Sequence, residues 1–499
     1  MSTLSLPEVS TFPRSSKDTS KKFPVENPAT GKVLTIIQGG DAATTGEAIE
    51  AAHQAFQSDW RWRSPAERSA LLFKCADALE KHATELAELL CLENGKPMQD
   101  ALMFDVSFVS QIFRYFASLC DKLPSAMYDR GNTYGLEFRE PYGVCAGILP
   151  FNWPPIHTGG KIAPAIAVGN TFVLKPGEQA PLTAMRIVEI LQTVLPPNVV
   201  QCVPGAGPEV PQTLASHPLV KKVSLTGSTA AGIAVSKIAA DNLTPMTLEL
   251  GGKNAFLIFE DADLDLAVAA SLEGAFFNKG EACTASSRLL IHDSLYEDFV
   301  SRLGAAVKKL VVGNGMDKAT HVGPVVSRIQ QQKVLEYIRV GEKEGAVIAA
   351  QAPLPTDPAS KDGFFVPPTL FRDVTRDMRI AQEEIFGPVV TATAFATEEE
   401  AISIANSSEY GLTAGIFSRD SEKAMRVARK LDVGMVWVNN YNRATVGLAF
   451  GGTKHSGFGR EHCIETMHDY TFSKSIRIPS GLGSIPHWRG VAATVGKGA

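Results

Sequence analysis

Between residues 143 and 250, short runs of apolar and β-branched residues alternate regularly with helical segments, and few architectures accommodate that pattern. Residues 143–149, 171–175, 199–203, 220–226 and 246–250 read as strands, with helices near 160–168, 182–194, 209–216 and 229–240. Such alternation predicts an α/β fold, a parallel sheet covered by helices on both faces. Sheets of this kind bind ligands at the carboxyl ends of their strands. A second alternation runs from 255 to 438, with a strand at 288–292 and helices at 296–309 and 330–343; a Pro/Asp/Ser-rich loop at 352–362 interrupts it. Ahead of both, residues 45–123 carry apolar side chains at helical spacing, as in Ala48, Ile49 and Ala52 or Leu71, Leu72, Ala76 and Leu79. Ser64-Pro65-Ala66-Glu67 supplies a helix start: a cap, a proline at the first helical position, and an acid in the first turn.

A chain of 499 residues has room for about three domains. Its 48 basic and 53 acidic residues give a net charge of −5, so no basic footprint suggests nucleic acid or an anionic membrane surface. No run approaches the roughly 18 uninterrupted apolar residues of a membrane span. Residues 1–22 are polar, lack the apolar core of a secretory signal, and read as a frayed arm. Residues 480–499, rich in Gly, Ser and Pro, read as a tail with little periodicity. Cys75, Cys91, Cys120, Cys145, Cys202, Cys283 and Cys463 form no CxxC pair and no cluster with histidine. A disulfide framework or metal site is therefore not expected, and most of the seven should be core fillers in a reducing compartment. Cytoplasmic localisation is expected, with mitochondrial import as the alternative suggested by a Ser/Thr/Lys-rich, acid-poor start that is not Arg-rich.

Six segments carry chemistry. Gly205-Ala206-Gly207 opens like a dinucleotide fingerprint, but Val210 occupies the third glycine position. The run from Val220 through Gly227-Ser228 to Gly232 joins a strand to a helix through a glycine turn; it suits a pyrophosphate, or is simply a tight strand–helix turn. Lys175 and Glu178, three residues apart at a strand end, have the donor and acceptor groups for a ribose, or form a solvated charge pair. Cys283 follows Gly280-Glu281-Ala282 and precedes small residues and Arg288, a setting that gives a thiol access. Glu249, between leucines at a strand end, is a candidate general base or else the ion-pair partner of Lys253. Asn152, between Phe151 and Trp153-Pro154, offers an amide to an oxyanion or makes an Asn turn.

Taken together, Pro150-Phe-Asn-Trp, Lys175-Pro-Gly-Glu, Gly227-Ser-Thr-Ala-Ala-Gly, Glu249-Leu-Gly-Gly-Lys, Gly280-Glu-Ala-Cys, Glu383-Glu-Ile-Phe-Gly-Pro-Val and Phe450-Gly-Gly resemble the aldehyde dehydrogenase superfamily, from about residue 23 to 478. The resemblance implies a Rossmann-like coenzyme domain (23–122 and 142–251), a catalytic α/β domain (252–452), and a small β-arm for oligomerisation (123–141 and 469–478). It implies NAD, or NADP, as cofactor, an aldehyde as substrate, and a homodimer or homotetramer. By matching position Cys283 becomes the nucleophile, and Asn152 with the Cys283 backbone N–H the oxyanion hole. Glu249 becomes the base for the deacylating water, and Lys161 a lysine near the proton path. Lys175 and Glu178 fall to the adenosine ribose, and Ser228 with Gly207, Gly227 and Gly232 to the pyrophosphate. Glu384 and Phe386 fall to the nicotinamide ribose. Glu281 stands where many members have Gln, placing an extra carboxylate near Cys283, and Ala449 where many have Pro. The alternatives are an acylating member that passes its thioester to coenzyme A, and a non-catalytic binding protein on the same scaffold.

For the substrate channel the expectation is a face of Trp153, Ile156, His157 and Gly160 at helical spacing, joined by Phe277, Arg443, Ala444 and Phe450. Gly160 and Ala444 stand where some relatives carry large aromatics. A wide channel is therefore expected, with His157 and Arg443 adding polarity.

Overall fold

The computed structural model describes residues 9–10, 21–441, 445–485 and 487–495. Its centre is a six-stranded sheet in the order Gly457–Phe458, Met246–Glu249, Val220–Thr226, Val144–Ile148, Thr171–Lys175, Val200–Cys202. The last five run parallel, as the alternation predicts. Both faces are covered. Ile49, Ala52, Val210, Leu214 and Val235 pack on one side against Ala146, Val173 and Val223. Leu72, Leu90, Phe113, Ile166 and Ile187 pack with Cys145, Phe172 and Leu174 in the other layer. Gly147 is required by this packing, since a Cβ there would fall 2.6 Å from the Phe172 ring.

The helical stretch ahead of the sheet includes Ala42–Ser58, Pro65–Lys81, Ala83–Asn94 and Ser107–Leu119. Ser64 and Glu67 close a reciprocal capping box: the Ser64 N–H donates to Glu67 Oε2 at 2.8 Å and the Glu67 N–H to Ser64 Oγ at 3.3 Å. Ala101–Val106 is a turn of π-helix leading into Ser107–Leu119.

A seven-stranded sheet holds the second alternation, with Ala255–Ile258 between Arg288–His292 and Thr413–Phe417. It is parallel except for Val347–Gln351 on Thr369–Arg372. A third, antiparallel sheet joins Ala126–Asp129, Thr133–Pro141 and Thr471–Pro479.

Three local readings change, and one pairing was not anticipated. The helix expected from residue 160 is Pro154–Ala167. Its start is set by Pro154, whose fixed φ suits the first helical position. Gly159-Gly160 does not break it, because these glycines admit neighbours: a Cβ would lie 2.7 Å from Val109 Cγ2 and from His462 Cε1, respectively. The arm taken to be frayed pairs at Val9–Ser10, parallel with Ile36 and Ile37, and its last residue, Lys22, begins the strand Lys22–Asn27. The tail contains a helix, Arg489–Val495. Finally, Gly457–Phe458 returns to the first sheet antiparallel to Leu248 and Glu249, a two-residue pairing too short for periodicity to reveal. That return brings residues 450–462 over the carboxyl end of Met246–Glu249, where Phe450 and Glu461 form an antiparallel bridge.

Candidate active site

Of the seven cysteines, Cys283 alone is not buried, and all seven are free. Its thiol is nonetheless pushed up, by burial first and then by the carboxylates of Glu249 and Glu384. Burial alone holds the Cys75 thiol up at about 12. Asn254 Nδ2 fastens the loop beneath Cys283, donating to the carbonyls of Cys283 and Ala285 at 2.8 Å each. Gly252 must lack a side chain, because a Cβ would sit 2.3 Å from the Cys283 carbonyl oxygen.

Glu281 does not do what its position in sequence suggests. Asn278, Lys279 and Gly280 all adopt positive φ (49°, 63° and 66°), and the Glu281 carboxylate pairs instead with Lys279 at 3.1 Å and accepts from the Val326 N–H at 3.0 Å. After burial, the carboxylates that raise the Cys283 pKa are those of residues 249 and 384.

Asn152 follows the strand Val144–Ile148, and its Nδ2 donates to the Glu281 carbonyl at 3.0 Å. Its own carbonyl accepts from Lys96 Nζ at 3.3 Å and Asn278 Nδ2 at 3.1 Å, and its Oδ1 is buried without a partner. Lys96 is itself buried, paired with Asp105 at 2.8 Å and seated 4.0 Å from the Trp153 ring centre. Lys96, Asp105 and Asn278 are positioning groups that the sequence did not single out.

Glu249 is 2 % exposed and neither carboxylate oxygen has a hydrogen-bond partner. Its pKa is raised well above the usual carboxylate range, by burial and then by repulsion from Glu461. The ion pair with Lys253 does not form, for Lys253 Nζ is also buried without a partner and burial brings its pKa down to about 7. Lys161 donates to Ser224 Oγ at 2.9 Å and forms a buried ion pair with Glu461. Glu461 was missed because no local pattern marks it; the returning segment alone brings it here.

The strand-end groups gather on the other side of the sheet's edge. Glu178 Oε2 accepts from the N–H of Gly207, whose φ of +72° places it in the left-handed region. Lys175 is buried at the end of its strand, and burial lowers its pKa. Ser228 caps Thr229–Asp241, accepting from the Ala231 N–H at 3.2 Å, which leaves the hydroxyl hydrogen free to donate outward. Two glycines are explained by contacts within the protein. Gly227 N–H donates to the Glu249 carbonyl at 3.0 Å, and a Cβ on Gly232 would lie 2.6 Å from Leu250 Cδ2. Glu384 Oε1 accepts from the Gly252 N–H at 2.9 Å, and Phe386, at φ +58°, meets Phe151 edge-on at 5.8 Å.

Aromatic side chains line the approach. Phe277 lies 5.5 Å from Trp153 and 5.0 Å from Phe104. His462 meets Phe108 and Phe450 edge-on, each at 5.6 Å. Phe104, Phe108 and His462 were not anticipated; Phe108 reads in sequence as one more apolar position of a helix. Ile156 packs against the helical layer. The space expected at Gly160 itself is taken up, because the His462 imidazole stands over that glycine. Arg443 and Ala444 lie outside the described residues. Among the described residues no group of His, Cys, Asp and Glu is arranged to hold a metal ion, and no helix is long and apolar enough to cross a membrane.

A thiol, an amide and an unpartnered carboxylate thus converge at the carboxyl edge of a parallel sheet. Comparison with known proteins finds relatives that match nearly the whole chain. The aldehyde dehydrogenase family pattern matches residues 15–476. Aldehyde dehydrogenase citD of Monascus ruber is 61 % identical, the match covering 97 % of this chain and 96 % of that protein. An aldehyde dehydrogenase of Didymella fabae is 60 % identical over 95 % of this chain and 96 % of its own length. The NAD+ complex of aldehyde dehydrogenase from Bacillus cereus superposes with a TM-score of 0.90 at 40 % identity, covering 92 % of this chain and 94 % of that one. The chain belongs to the aldehyde dehydrogenase family.

The burial pattern predicts that one thiol of the native protein reacts ahead of the other six. Iodoacetamide labelling followed by mass spectrometry should modify Cys283 first, and its rate should climb with pH beyond 9. In Glu249→Gln the loss of a neighbouring carboxylate eases thiol ionisation, so the labelling limb should move to lower pH.

Proposed function

We propose that this protein oxidises an aldehyde to a carboxylic acid with NAD as acceptor, through a thiohemiacetal and a thioester on Cys283. The observation that carries the reading is Glu249, a buried carboxylate whose oxygens have no partner and whose charge acts on the Cys283 thiol. In the reaction Cys283 Sγ bonds to the aldehyde carbon while its proton passes to Glu249. The oxyanion so formed accepts from the Cys283 backbone N–H and from Asn152 Nδ2, a donor held in place before the reaction starts. NAD, when bound, would supply the acceptor for the hydride that leaves the adduct. Glu249, its proton released by way of Glu461 and Lys161, then deprotonates the water that splits the thioester. Transfer to coenzyme A would need no such base.

Several features fit NAD. The capped helix Thr229–Asp241 opens beside exposed Ser228, with its first N–H groups lacking intrahelical acceptors. Open space surrounds Gly207, whose N–H steadies Glu178. Ser228 would meet the pyrophosphate, Lys175 and Glu178 the adenosine ribose, and Glu384 and Phe386 the nicotinamide ribose. We also place the protein in the cytoplasm as a homo-oligomer. The sheet Ala126–Asp129, Thr133–Pro141 and Thr471–Pro479 supports the oligomer, because Met127, Phe138, Phe472 and Ile476 are exposed on it and its outer strands are edges.

Three outcomes are expected. Cys283→Ala should abolish turnover and still bind NAD, whereas Glu249→Gln should give a burst of NADH and then stall; steady turnover by the Glu249 variant would remove it as the base. Comparison of kcat/KM should favour NAD over NADP, since Glu178 accepts from ribose hydroxyls and repels a 2′-phosphate. Sedimentation should give a multiple of 53.5 kDa at micromolar concentration, and a monomer would count against the arm.

A further inference from the structure

Two buried imidazoles stand beside the proposed catalytic cluster without partners of their own. His157, on Pro154–Ala167, and His462, one residue beyond Glu461, are each 4 % exposed. Neither ring nitrogen of His157 is hydrogen-bonded, nor is Nδ1 of His462. Buried polar atoms in folded proteins nearly always find partners, so unpartnered nitrogens in one place need a reason. The backbone at His462 also carries a cost: its φ is +64°, uncommon for any residue but glycine. Its carbonyl accepts from the Gly447 N–H at 2.7 Å, and Phe450 exchanges backbone hydrogen bonds with Glu461 at 3.0 and 2.7 Å, so the ring is held where it is.

That position borders a cavity of about 510 Å³, whose described walls include Phe108, Trp437, Leu448, Phe450 and His462. The volume lies in the range of small-molecule sites. Its aromatic walls offer edges and faces to a flat ring. Burial lowers the pKa of His462, and that of His157 falls to about 3, so both imidazoles are neutral at physiological pH. A neutral imidazole donates from one nitrogen and accepts at the other, and it pairs equally well with a hydroxyl or a carbonyl oxygen.

Building on the proposed aldehyde oxidation, we propose that His462, backed by His157, selects aromatic aldehydes that carry a ring hydroxyl. The hydroxyl takes the hydrogen bond that the protein leaves unmade at the imidazole, while the ring lies among Phe108, Trp437 and Phe450. A ring without the hydroxyl fits the same space but leaves the buried nitrogen unsatisfied, which penalises it.

The test compares kcat/KM for benzaldehyde with that for its 2-, 3- and 4-hydroxy derivatives, with hexanal as a reference. At least one hydroxylated isomer should exceed benzaldehyde by about tenfold in the wild type, and in His462→Leu that ratio should fall to within about twofold of unity. The loss should appear in KM more than in kcat, and His462→Gln, which keeps a donor and an acceptor, should recover part of it. Gly160→Ala probes the same ring without altering its chemistry, because the new Cβ would arrive 2.7 Å from His462 Cε1 and displace it. It too should lower the ratio. A wild type indifferent to the hydroxyl, or a folded Leu or Ala variant that keeps the preference, overturns the assignment. Hexanal oxidation alongside such a result leaves the aldehyde dehydrogenase reading standing, whereas failure on every aldehyde, hexanal included, overturns both.

Discussion

Lys161 lies midway along Pro154–Ala167 and Glu461 lies 300 residues further on, yet their side chains meet where water does not reach. Ser224, on the strand Val220–Thr226, accepts from the same ammonium. The pair therefore ties a helix, a central strand and the returning segment to one point. Removing either partner would strand a buried charge, a change that typically costs about 3–5 kcal/mol. Glu249 sits within reach of this pair and is governed by it: Glu461 opposes its ionisation and Lys161 favours it. Burial together with Glu461 prevails, which leaves a carboxyl group that holds a proton far more readily than one in water.

A second buried charge group holds Asn152. Lys96 with Asp105 and Lys279 with Glu281 are almost wholly enclosed, and Lys279 Nζ also donates to the Asn94 carbonyl at 2.8 Å. Through Lys96 and Asn278 the group reaches the Asn152 carbonyl, and through the Glu281 carbonyl it reaches the Asn152 amide. Asn152 is thus fixed at both ends. The left-handed turn at residues 278–280 is part of this arrangement, because it points the Glu281 carboxylate at Lys279 and the Glu281 carbonyl at Asn152.

The sheet was legible in sequence because its strands are short runs rich in apolar or β-branched residues and closed by glycine or proline, as at Thr171–Lys175 before Pro176-Gly177. Glu249 and Asn152 stood out in short motifs just at or after strands, where a parallel sheet gathers its functional groups, and Cys283 by the small residues around it. What could not be read was anything produced by distant chain meeting itself. Glu461 and His462 follow a two-residue strand with no periodicity. The His462 ring fills the space that Gly160 leaves. The carboxylates facing Cys283 come from positions 249 and 384, whereas the neighbour in sequence, Glu281, turns away. Residue spacing fixes which groups share a face of one element, but the turn at 278–280 decides where the next carboxylate points.

The raised pKa of the thiol has a consequence for the proposed reaction. With burial and two carboxylates opposing its ionisation, Cys283 rests as a thiol, and a resting thiol is a poor nucleophile until its proton leaves. An ordinary carboxylate would be a weak acceptor for that proton, since several pKa units separate the two groups in water. Here the acceptor is displaced in the same direction as the donor, because burial and Glu461 raise Glu249. Proton transfer between them replaces one buried anion by another, and it avoids having both charged at once. The site thereby keeps its nucleophile protonated, and protected from stray oxidation, until an aldehyde carbon is close enough for bond formation to draw the proton off.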